Sequence, residues 1–396
     1  MSKKISLLLL LWTVTCFPLL GNFAQIMSNT ALTFKARALG FSALLIGSFT
    51  SAFMITRGLA AVVSGYISDK IKRRGVFAVM GFALNSFVAL GYALSNTWTQ
   101  LILFSFLNGI ASGVLWPSVQ TIVVELSPSS WRSSIMSIYF ALGSLGSVLS
   151  YLAYSSFYAG NYFEAFLCAS SILILMAFSA TPLARRYTTI VEKKHVTEKI
   201  HVTEVALALT AMFLAGLIVS TRPLVLLYLR DVPRYSEELA SSTMSIVTFI
   251  SLILSLMIGF LADKTDWIIG SLIGFIIGIL SLTGVYSHNY VVLAASLGIL
   301  LGSFSAMYPL TRAVMGKVKA AHRGLLIGLV NLTGNIGAVV GPLILGHIYD
   351  VIGPYCLIQA YAVVLLTLIV MFTSVKLLRA VSFLREHFIK FSFKSF

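Results

Sequence analysis

The sequence predicts an all-α polytopic membrane protein, with twelve transmembrane helices in two pseudo-symmetric six-helix bundles. Three observations carry this prediction. Apolar residues make up 58% of the 396 residues and charged residues only 10%, whereas soluble domains carry about 25% charged residues. The apolar residues form long runs, and a helix that spans a bilayer needs about 20 of them. Finally, the pattern at residues 65–70 (GYISDK) returns about half a chain later, at residues 259–264 (GFLADK).

Twelve apolar runs are long enough to cross a bilayer, and polar or charged segments separate them. Backbone groups inside a bilayer have no water to bond with, so helices of this length are the structure that satisfies them. The predicted spans are residues 5–28, 41–67, 75–95, 98–124, 133–158, 164–184, 205–229, 239–261, 267–287, 290–315, 324–349 and 355–375.

The first run resembles a signal peptide, because Lys3 and Lys4 precede a leucine run. It continues beyond about 20 residues without a small-residue cleavage site, which favours an uncleaved first span. The three cysteines, at positions 16, 168 and 356, have neither metal-site nor disulfide-framework spacing. We therefore expect no bound metal or cofactor, and we interpret the cysteines as small apolar packing residues within spans.

The internal repeat divides the chain into two units of six helices. Trp116-Pro117 in the first half matches Tyr308-Pro309 in the second. Parallel repeats of this kind occur in transporters whose solute site lies between the halves. We predict an N-terminal bundle at 1–184, a cytoplasmic linker at 185–204, a C-terminal bundle at 205–375 and a basic cytoplasmic tail at 376–396. The tail alternates apolar and basic residues, which suits a helix on an anionic leaflet and equally a basic extension.

The net charge of +15 is distributed asymmetrically along the chain. Most of the 28 Lys and Arg residues fall at the two ends, in the linker or in the loops after even-numbered spans. Loops rich in Lys and Arg stay in the cytoplasm, so we predict a plasma-membrane protein with both termini cytoplasmic. No soluble segment is long enough to form a folded basic surface, so we expect a lipid-bilayer partner and no nucleic acid. We expect a monomer.

The loop after span 2 carries a motif that resembles the signature of the major facilitator superfamily. The family pattern is Gly-x-x-x-Asp-Arg/Lys-x-Gly-Arg-Arg/Lys, and residues 65–74 here read GYISDKIKRR. The departure is Lys72, where the family usually has glycine. With twelve spans, a second copy of the motif and a long middle segment, the resemblance covers essentially the whole chain. It implies two six-helix bundles around a central cavity lined by spans 1, 4, 7 and 10.

The resemblance also implies a gate at the cytoplasmic side. Small residues let membrane helices approach closely, and a carboxylate is favoured at a helix N-terminus. By resemblance, Asp69 contacts the start of span 11 when this side is closed, and the contact breaks when it opens. The alternative is that Asp69 only orients its loop electrostatically. Carried over to this chain, the gating residues are Gly65, Asp69, Arg73, Arg132 and Asp263.

Three arginines lie within predicted spans: Arg57, Arg222 and Arg312. A central arginine costs roughly 2.5–3.5 kcal/mol to insert, so a partner or a function must offset it. None of the 13 acidic residues lies near the middle of a span. A cavity with arginines and no carboxylate has a positive potential that favours an anion, and guanidinium matches carboxylate, phosphate or sulfonate oxygens. We predict that Arg57 and Arg222 contact substrate, or bind carbonyls and water, and that Arg312 reaches the headgroups.

Amide side chains follow one face of span 1 and recur in span 4. Asn22, Gln25 and Asn29 are three or four residues apart, which places them on one face of a helix. A polar stripe in an apolar helix faces either a hydrated cavity or another helix. We predict substrate contact for Asn22, Gln25, Asn29 and Asn108, with hydrogen bonding between helices as the alternative for each.

These observations predict a transporter and not an enzyme: a secondary active or facilitative carrier of a small solute, an anion, working by alternating access. No phosphate-binding loop ending in Gly-Lys-Ser/Thr occurs in the sequence. A coupling proton or a counter-anion is compatible with it, although Ser105 stands where many proton-coupled relatives carry arginine. An exporter of amphipathic drugs or metabolites is the alternative, and a transport-inactive membrane sensor is an alternative of another class. The exporter's cavity would be lined by Phe23, Trp116, Tyr139 and Phe140.

Overall fold

The computed structural model describes residues 3–71, 73–128, 131–186, 202–316 and 320–392, and these residues are almost entirely helical. Within them, twelve helices are long and apolar enough to cross a membrane, so the chain is an integral membrane protein. The helices are α1 (Lys3–Ala38), α2 (Ala43–Ile71), α3 (Arg74–Leu94), α4 (Trp98–Leu126), α5 (Arg132–Ala153), α6 (Tyr162–Ser179), α7 (Thr181–Arg186), α8 (Val202–Val219), α9 (Arg222–Asp231), α10 (Glu237–Lys264), α11 (Trp267–Val285), α12 (Tyr290–Ser305), α13 (Met307–Gly316), α14 (Ala320–Ile352) and α15 (Cys356–Ser392), with a π-helical turn at Tyr154–Tyr158.

Three of the predicted spans are not single helices. Span 6 is α6 followed by the short α7, and the other two are divided near a proline. Span 7 is α8 followed by α9, and span 10 is α12 followed by α13. A proline within a helix cannot donate an N–H and clashes with the carbonyl of the fourth residue before it. Pro223 lies four residues after Val219, where α8 ends, and Pro309 lies four residues after Ser305, where α12 ends. Each proline favours the break that precedes it, although Pro18, Pro117 and Pro342 lie inside unbroken helices. The breaks correct the continuous spans predicted at 205–229 and 290–315.

Span 1 extends to Ala38, past its predicted end at residue 28. This extension buries Lys35, whose Nζ donates hydrogen bonds to the carbonyls of Tyr92 at 2.9 Å and Ala93 at 3.0 Å. The last carbonyls of a helix have no partner within it, and a cation is favoured at that end. Lys35 therefore caps span 3 and ties it to span 1.

The two bundles meet mainly along two pairs of helices, with smaller contacts of spans 1 and 2 on α9. Span 2 packs against span 11, and span 5 packs against span 8. Glycine makes the first contact close, because a Cβ at Gly47 would lie 2.3 Å from the carbonyl oxygen of Pro342. We call the face of the membrane domain that carries Lys70, Arg73 and Lys264 the basic face. The other face, which carries Leu39, Asn96 and His288, is the opposite face.

The C-terminal helix α15 continues from span 12 to Ser392 without a break. Arg379 bonds to Glu204 and, at 3.3 Å, to Asp266, so the end of span 12 is tied to the starts of spans 7 and 9. No change of secondary structure marks the predicted boundary between residues 375 and 376. Most of the predicted linker lies outside the described residues, so the domain limits remain predictions.

Candidate functional site

A cavity of about 370 Å³ lies between the two bundles. Its wall comes mainly from spans 1, 2, 4, 5 and 7, with Tyr308 from span 10. Span 2, which the family resemblance does not place in the wall, contributes residues from Ile46 to Arg57. The cavity brings together all six residues predicted to contact substrate: Asn22, Gln25, Asn29, Arg57, Asn108 and Arg222.

Two arginines give the cavity its charge. Arg57 and Arg222 are the cationic side chains among its described lining residues, and no Asp or Glu is among them. The Arg57 guanidinium lies 5.6 Å from the ring centroid of Phe53. Within the described part of the chain, neither arginine forms a hydrogen bond or an ion pair. The two charges come from different bundles, and the cavity therefore has a positive potential that no carboxylate offsets.

The third intramembrane arginine contrasts with these two. Arg312 donates from Nε and Nη2 to Asn331 Oδ1, at 3.1 and 2.9 Å, and from Nη1 to the carbonyl of Tyr308 at 2.8 Å. Its guanidinium also lies 5.5 Å from the Tyr308 ring centroid. The expectation that Arg312 reaches the headgroups was wrong, because these bonds use it to join span 10 to span 11.

Two of the predicted amides are occupied by bonds between helices. Gln25 donates from Nε2 to Ser112 at 3.3 Å and accepts from the Trp116 indole N–H at 3.2 Å. Gly21 leaves room for that indole, since a Cβ there would lie 2.8 Å from the ring. Asn108 donates to the Tyr92 hydroxyl at 3.4 Å. Gln25 therefore orients Trp116 in the cavity wall, and Asn108 fastens span 4 to span 3.

The other two amides keep free hydrogen-bonding atoms in the cavity. Asn22 donates from Nδ2 to the Pro18 carbonyl at 3.0 Å, which leaves its Oδ1 available. The Asn29 side chain forms no hydrogen bond to any described residue, although it lines the cavity. Among the residues predicted to contact substrate, the groups without a hydrogen bond to the described residues therefore include the two guanidiniums, the Asn29 amide and the Asn22 oxygen.

Several lining residues were not predicted from the sequence. Among the predicted aromatic residues, Trp116, Tyr139 and Phe140 line the cavity, whereas Phe23 is not among the lining residues. Thr30 of span 1 and Ser220 at the break in span 7 also line it. Single hydroxyls are common in apolar helices and carry no distinct sequence signal, so only the fold identifies them.

Two carboxylates join the bundles at the opposite face. Asp231, the last residue of α9, accepts a hydrogen bond from Arg37 Nη2 of span 1 at 2.7 Å. Glu237, the first residue of span 8, accepts from the hydroxyls of Tyr162 at 2.6 Å and Tyr154 at 3.3 Å. Each carboxylate belongs to the C-terminal bundle, and each of these donors belongs to the N-terminal bundle.

A third carboxylate caps a helix across the same boundary. Asp350 lies near the end of span 11, and its two oxygens accept from the backbone N–H groups of Ala43 and Leu44, each at 2.8 Å. These are the first residues of span 2, where orphan N–H groups favour a carboxylate. We refer to Asp231, Glu237 and Asp350 together as the carboxylate gate. All three join the bundles at the opposite face.

The sequence matches a known family along most of its length. The family described as Major Facilitator Superfamily matches residues 14–269 and 208–386. The chain belongs to the major facilitator superfamily. It is therefore a transporter with the fold of that superfamily, as the signature after span 2 indicates.

Part of this superfamily member is similar to curated relatives from Salmonella. The MdtD protein of Salmonella paratyphi B is 31% identical over 145 residues, and that of Salmonella newport is 29% identical over 141 residues. Both bear the provisional name of multidrug resistance proteins. Each alignment covers 35% of this chain and 29% of the relative, so the matched segment spans less than a third of the relatives' length.

Solved superfamily structures resemble the chain over nearly its full length. A mutant of the nucleoside transporter NupG gives a TM-score of 0.75 with 15% identity, covering 92% of this chain and 99% of that one. A bacterial homologue of the human lysosomal transporter Spinster, in an inward-facing and occupied conformation, gives 0.75 with 17% identity, covering 98% of each. At these identities the likeness shows the fold alone.

Of the residues predicted to gate the basic face, Gly65, Arg73 and Asp263 form no hydrogen bond between the bundles within the described part of the chain. A Cβ at Gly65 would meet no atom within 4 Å, and Arg73 and Asp263 are exposed. The side chains of Asp69 and Arg132 lie outside the described part of the structure. The role of these five residues in closing the basic face remains a prediction.

Proposed function

We propose that this superfamily transporter moves a small organic anion across the plasma membrane by alternating access. The observation that carries the proposal is the pair Arg57 and Arg222, which line one cavity without a hydrogen-bonding or ionic partner in the described residues. Unpaired charge inside a membrane protein is costly, and a bound anion would offset it. Arg312, which forms three hydrogen bonds to protein oxygens, shows how the same side chain is bonded where the fold uses it structurally.

The arrangement of the bundles supports a form that is open to the basic face. The described hydrogen bonds between bundles are those of the carboxylate gate, together with Ser51 to Val339 and Ser245 to Val148. All of them lie in the part of each span nearest the opposite face. Basic loops stay in the cytoplasm, so we assign the basic face and both termini to the cytoplasm. A coupling proton or a counter-anion, and a monomeric state, remain predictions.

Thermal stabilisation of the purified protein tests the proposal. Matched panels of small anions and lipophilic cations are added to the wild type, Arg57→Gln and Arg222→Gln. Ligand at about 100 times its Kd stabilises the folded state by about 2.7 kcal/mol, so a subset of anions should raise the melting temperature measurably. Either substitution should abolish the rise.

Lys264→Gln is the matched control, because it also removes one positive charge but lies on the basic face outside the cavity. Its response to anions should equal that of the wild type. Stabilisation by lipophilic cations, or anion responses unchanged in both arginine variants, would refute an anion-binding cavity.

A drug exporter is the second candidate function. The partial similarity to the MdtD proteins favours it, and so do the rings of Trp116, Tyr139 and Phe140 in the cavity wall. Exporters of lipophilic cations need a buried acidic group, and the described cavity wall has none. The same panel discriminates the two functions, since an exporter of this kind would be stabilised by cations and would be insensitive to loss of the arginines.

A further inference from the structure

We propose that the acidic group of the transported anion binds at the break in span 7, against the N-terminus of α9 and the guanidinium of Arg222. This proposal rests on the proposed anion transport and names the part of the cavity that recognises the charged end of the solute. The chemistry is that of a carboxylate, sulfonate or phosphonate head on an apolar body.

The helix α9 begins inside the protein and not at a membrane face. Val219, Ser220, Arg222 and Pro223 surround its start, and all four line the cavity. The residue before the helix, Thr221, forms no side-chain cap to the first turn. The proline that breaks span 7 therefore places an uncapped helix N-terminus in the cavity wall.

Donors in the first turn of α9 are left without acceptors. The first backbone hydrogen bond there runs from Val225 N–H to the Thr221 carbonyl, at 3.1 Å. The Arg222 and Leu224 N–H groups have no backbone acceptor in the described residues, as is usual at a helix start. The Thr221 hydroxyl does not compensate, because it bonds to the Ile218 carbonyl at 2.6 Å and to Tyr361 at 2.5 Å.

An unpartnered hydroxyl in the same cavity is a second, independent sign of a ligand. Thr30 of span 1 is only 1% exposed, it lines the cavity, and its Oγ1 has no hydrogen-bond partner within the described structure. Span 1 packs against α9. Buried hydroxyls are normally hydrogen-bonded, and an oxyanion bound in this cavity would supply an acceptor for the Thr30 hydroxyl.

The charge at the break suits one anionic group. A helix N-terminus carries the equivalent of about half a positive charge, and interrupted membrane helices direct such ends at anionic substrate groups. Arg222 adds a full charge with a planar fork of donors. Leu226, one turn further along α9, and Ile46 and Phe49 of span 2 give the adjoining cavity an apolar wall. This lining favours an organic anion with a compact apolar body over an inorganic ion.

Substitutions at Ser220 provide a matched test. Ser220→Asp places a carboxylate at the start of α9, where it would occupy the site of the solute's acidic group, whereas Ser220→Asn has nearly the same size and no charge. Thr30→Val removes the unpartnered hydroxyl while keeping its shape. Binding of benzoate, benzenesulfonate and phenylphosphonate is measured by thermal stabilisation, with benzamide as the neutral control.

We expect at least one of these anions, but not benzamide, to stabilise the wild type. Ser220→Asp should raise the apparent Kd by about tenfold or more, and Thr30→Val by roughly 3- to 10-fold. Ser220→Asn, which matches aspartate in size without its charge, should weaken binding clearly less than Ser220→Asp does. Without added anion, Ser220→Asp should melt no lower than the wild type, because the start of α9 and the Arg222 charge favour a carboxylate there.

The outcomes separate this subsite from anion transport itself. Binding that is lost in Arg57→Gln but unchanged in Ser220→Asp and Thr30→Val would overturn the subsite and leave anion transport standing. Equal losses in Ser220→Asp and Ser220→Asn would mean a steric effect and would also overturn it. If no anion stabilises the wild type, both proposals fail. If Ser220→Asp without added anion melts at a lower temperature than the wild type, Thr30→Val and Arg222→Lys test the subsite instead. Weaker stabilisation by the anions in both of these variants would then support it.

Discussion

Replacing Asp350 by asparagine should weaken the carboxylate gate and shift the protein toward the form that opens to the opposite face. The two Asp350 oxygens each accept one backbone N–H, from Ala43 and Leu44, at 2.8 Å. Asparagine keeps one acceptor and turns an NH₂ group toward the other N–H. A hydrogen bond to a charged group contributes about 1.5–3 kcal/mol, and the charge at the helix start about 0.3–1 kcal/mol.

Solvent reduces that sum, because Asp350 is exposed. We expect a net loss of about 1–2 kcal/mol, which changes the equilibrium between the two forms by about 5- to 30-fold. Alternating forms of a protein typically differ by only a few kcal/mol, so a change of this size is visible as a population.

Distances between spin labels measure the populations. After replacement of the three native cysteines, Asn96→Cys and His288→Cys place one label on each bundle at the opposite face, and Lys70→Cys with Thr265→Cys does so at the basic face. In Asp350→Asn, longer distances should gain population at the opposite face and shorter ones at the basic face.

Asp266→Asn is the control, because the ion pair of Asp266 with Arg379 lies within one bundle. It should leave both distance distributions unchanged. Combining Asp350→Asn with Glu237→Gln and Arg37→Gln removes one contact at each carboxylate and should enlarge the shift. Distributions that superimpose on the wild type, even in the combined variant, would refute the assignment of these residues to a gate.

Three further predictions concern packing around the cavity. Gly109→Ala should lower the free energy of unfolding by roughly 1–3 kcal/mol, and with it the melting temperature, because its Cβ would lie 2.3 Å from the Phe53 carbonyl oxygen. Gly65→Ala should melt like the wild type, since no atom lies within 4 Å of its Cβ, and equal melting of both variants would contradict the packing of span 4 on span 2. Gln25→Leu should shift the tryptophan fluorescence and weaken anion stabilisation, because it removes the acceptor of the Trp116 N–H; unchanged spectra and binding would contradict that role. Arg312→Gln should destabilise the protein by about 1–3 kcal/mol and preserve stabilisation by anions, since Arg312 bonds to Asn331 and is not a lining residue of the cavity. Loss of the anion response with normal stability would place Arg312 in the binding site instead.

The sequence predicted the architecture because the bilayer imposes it. Twelve apolar runs had to become helices that satisfy their own backbone groups, and twelve helices of spanning length are present in the described residues. The positions of the breaks needed more than hydropathy. Pro223 and Pro309 were visible in the sequence, but apolar runs continue through both, so span length alone concealed the start of α9.

The sequence predicted which polar residues line the cavity but not which hydrogen bonds they form. All six predicted residues line the cavity, because intramembrane polar residues in a carrier face its interior. Which amides are occupied depends on partners distant in sequence. Gln25 bonds to Ser112 and Trp116, whereas the Asn29 side chain forms no hydrogen bond to a described residue. The carboxylate gate was hidden for the same reason, since Asp350 meets Ala43 only in the folded chain.

Counterflow in proteoliposomes tests anion transport most directly. Vesicles are loaded with the anion that gives the largest thermal stabilisation, and labelled anion is added outside at low concentration. We expect transient accumulation of label in vesicles with the wild type and with Lys264→Gln, and none with Arg57→Gln or Arg222→Gln. Accumulation that persists without both arginines, or that occurs for a lipophilic cation and for no anion, would contradict the central claim.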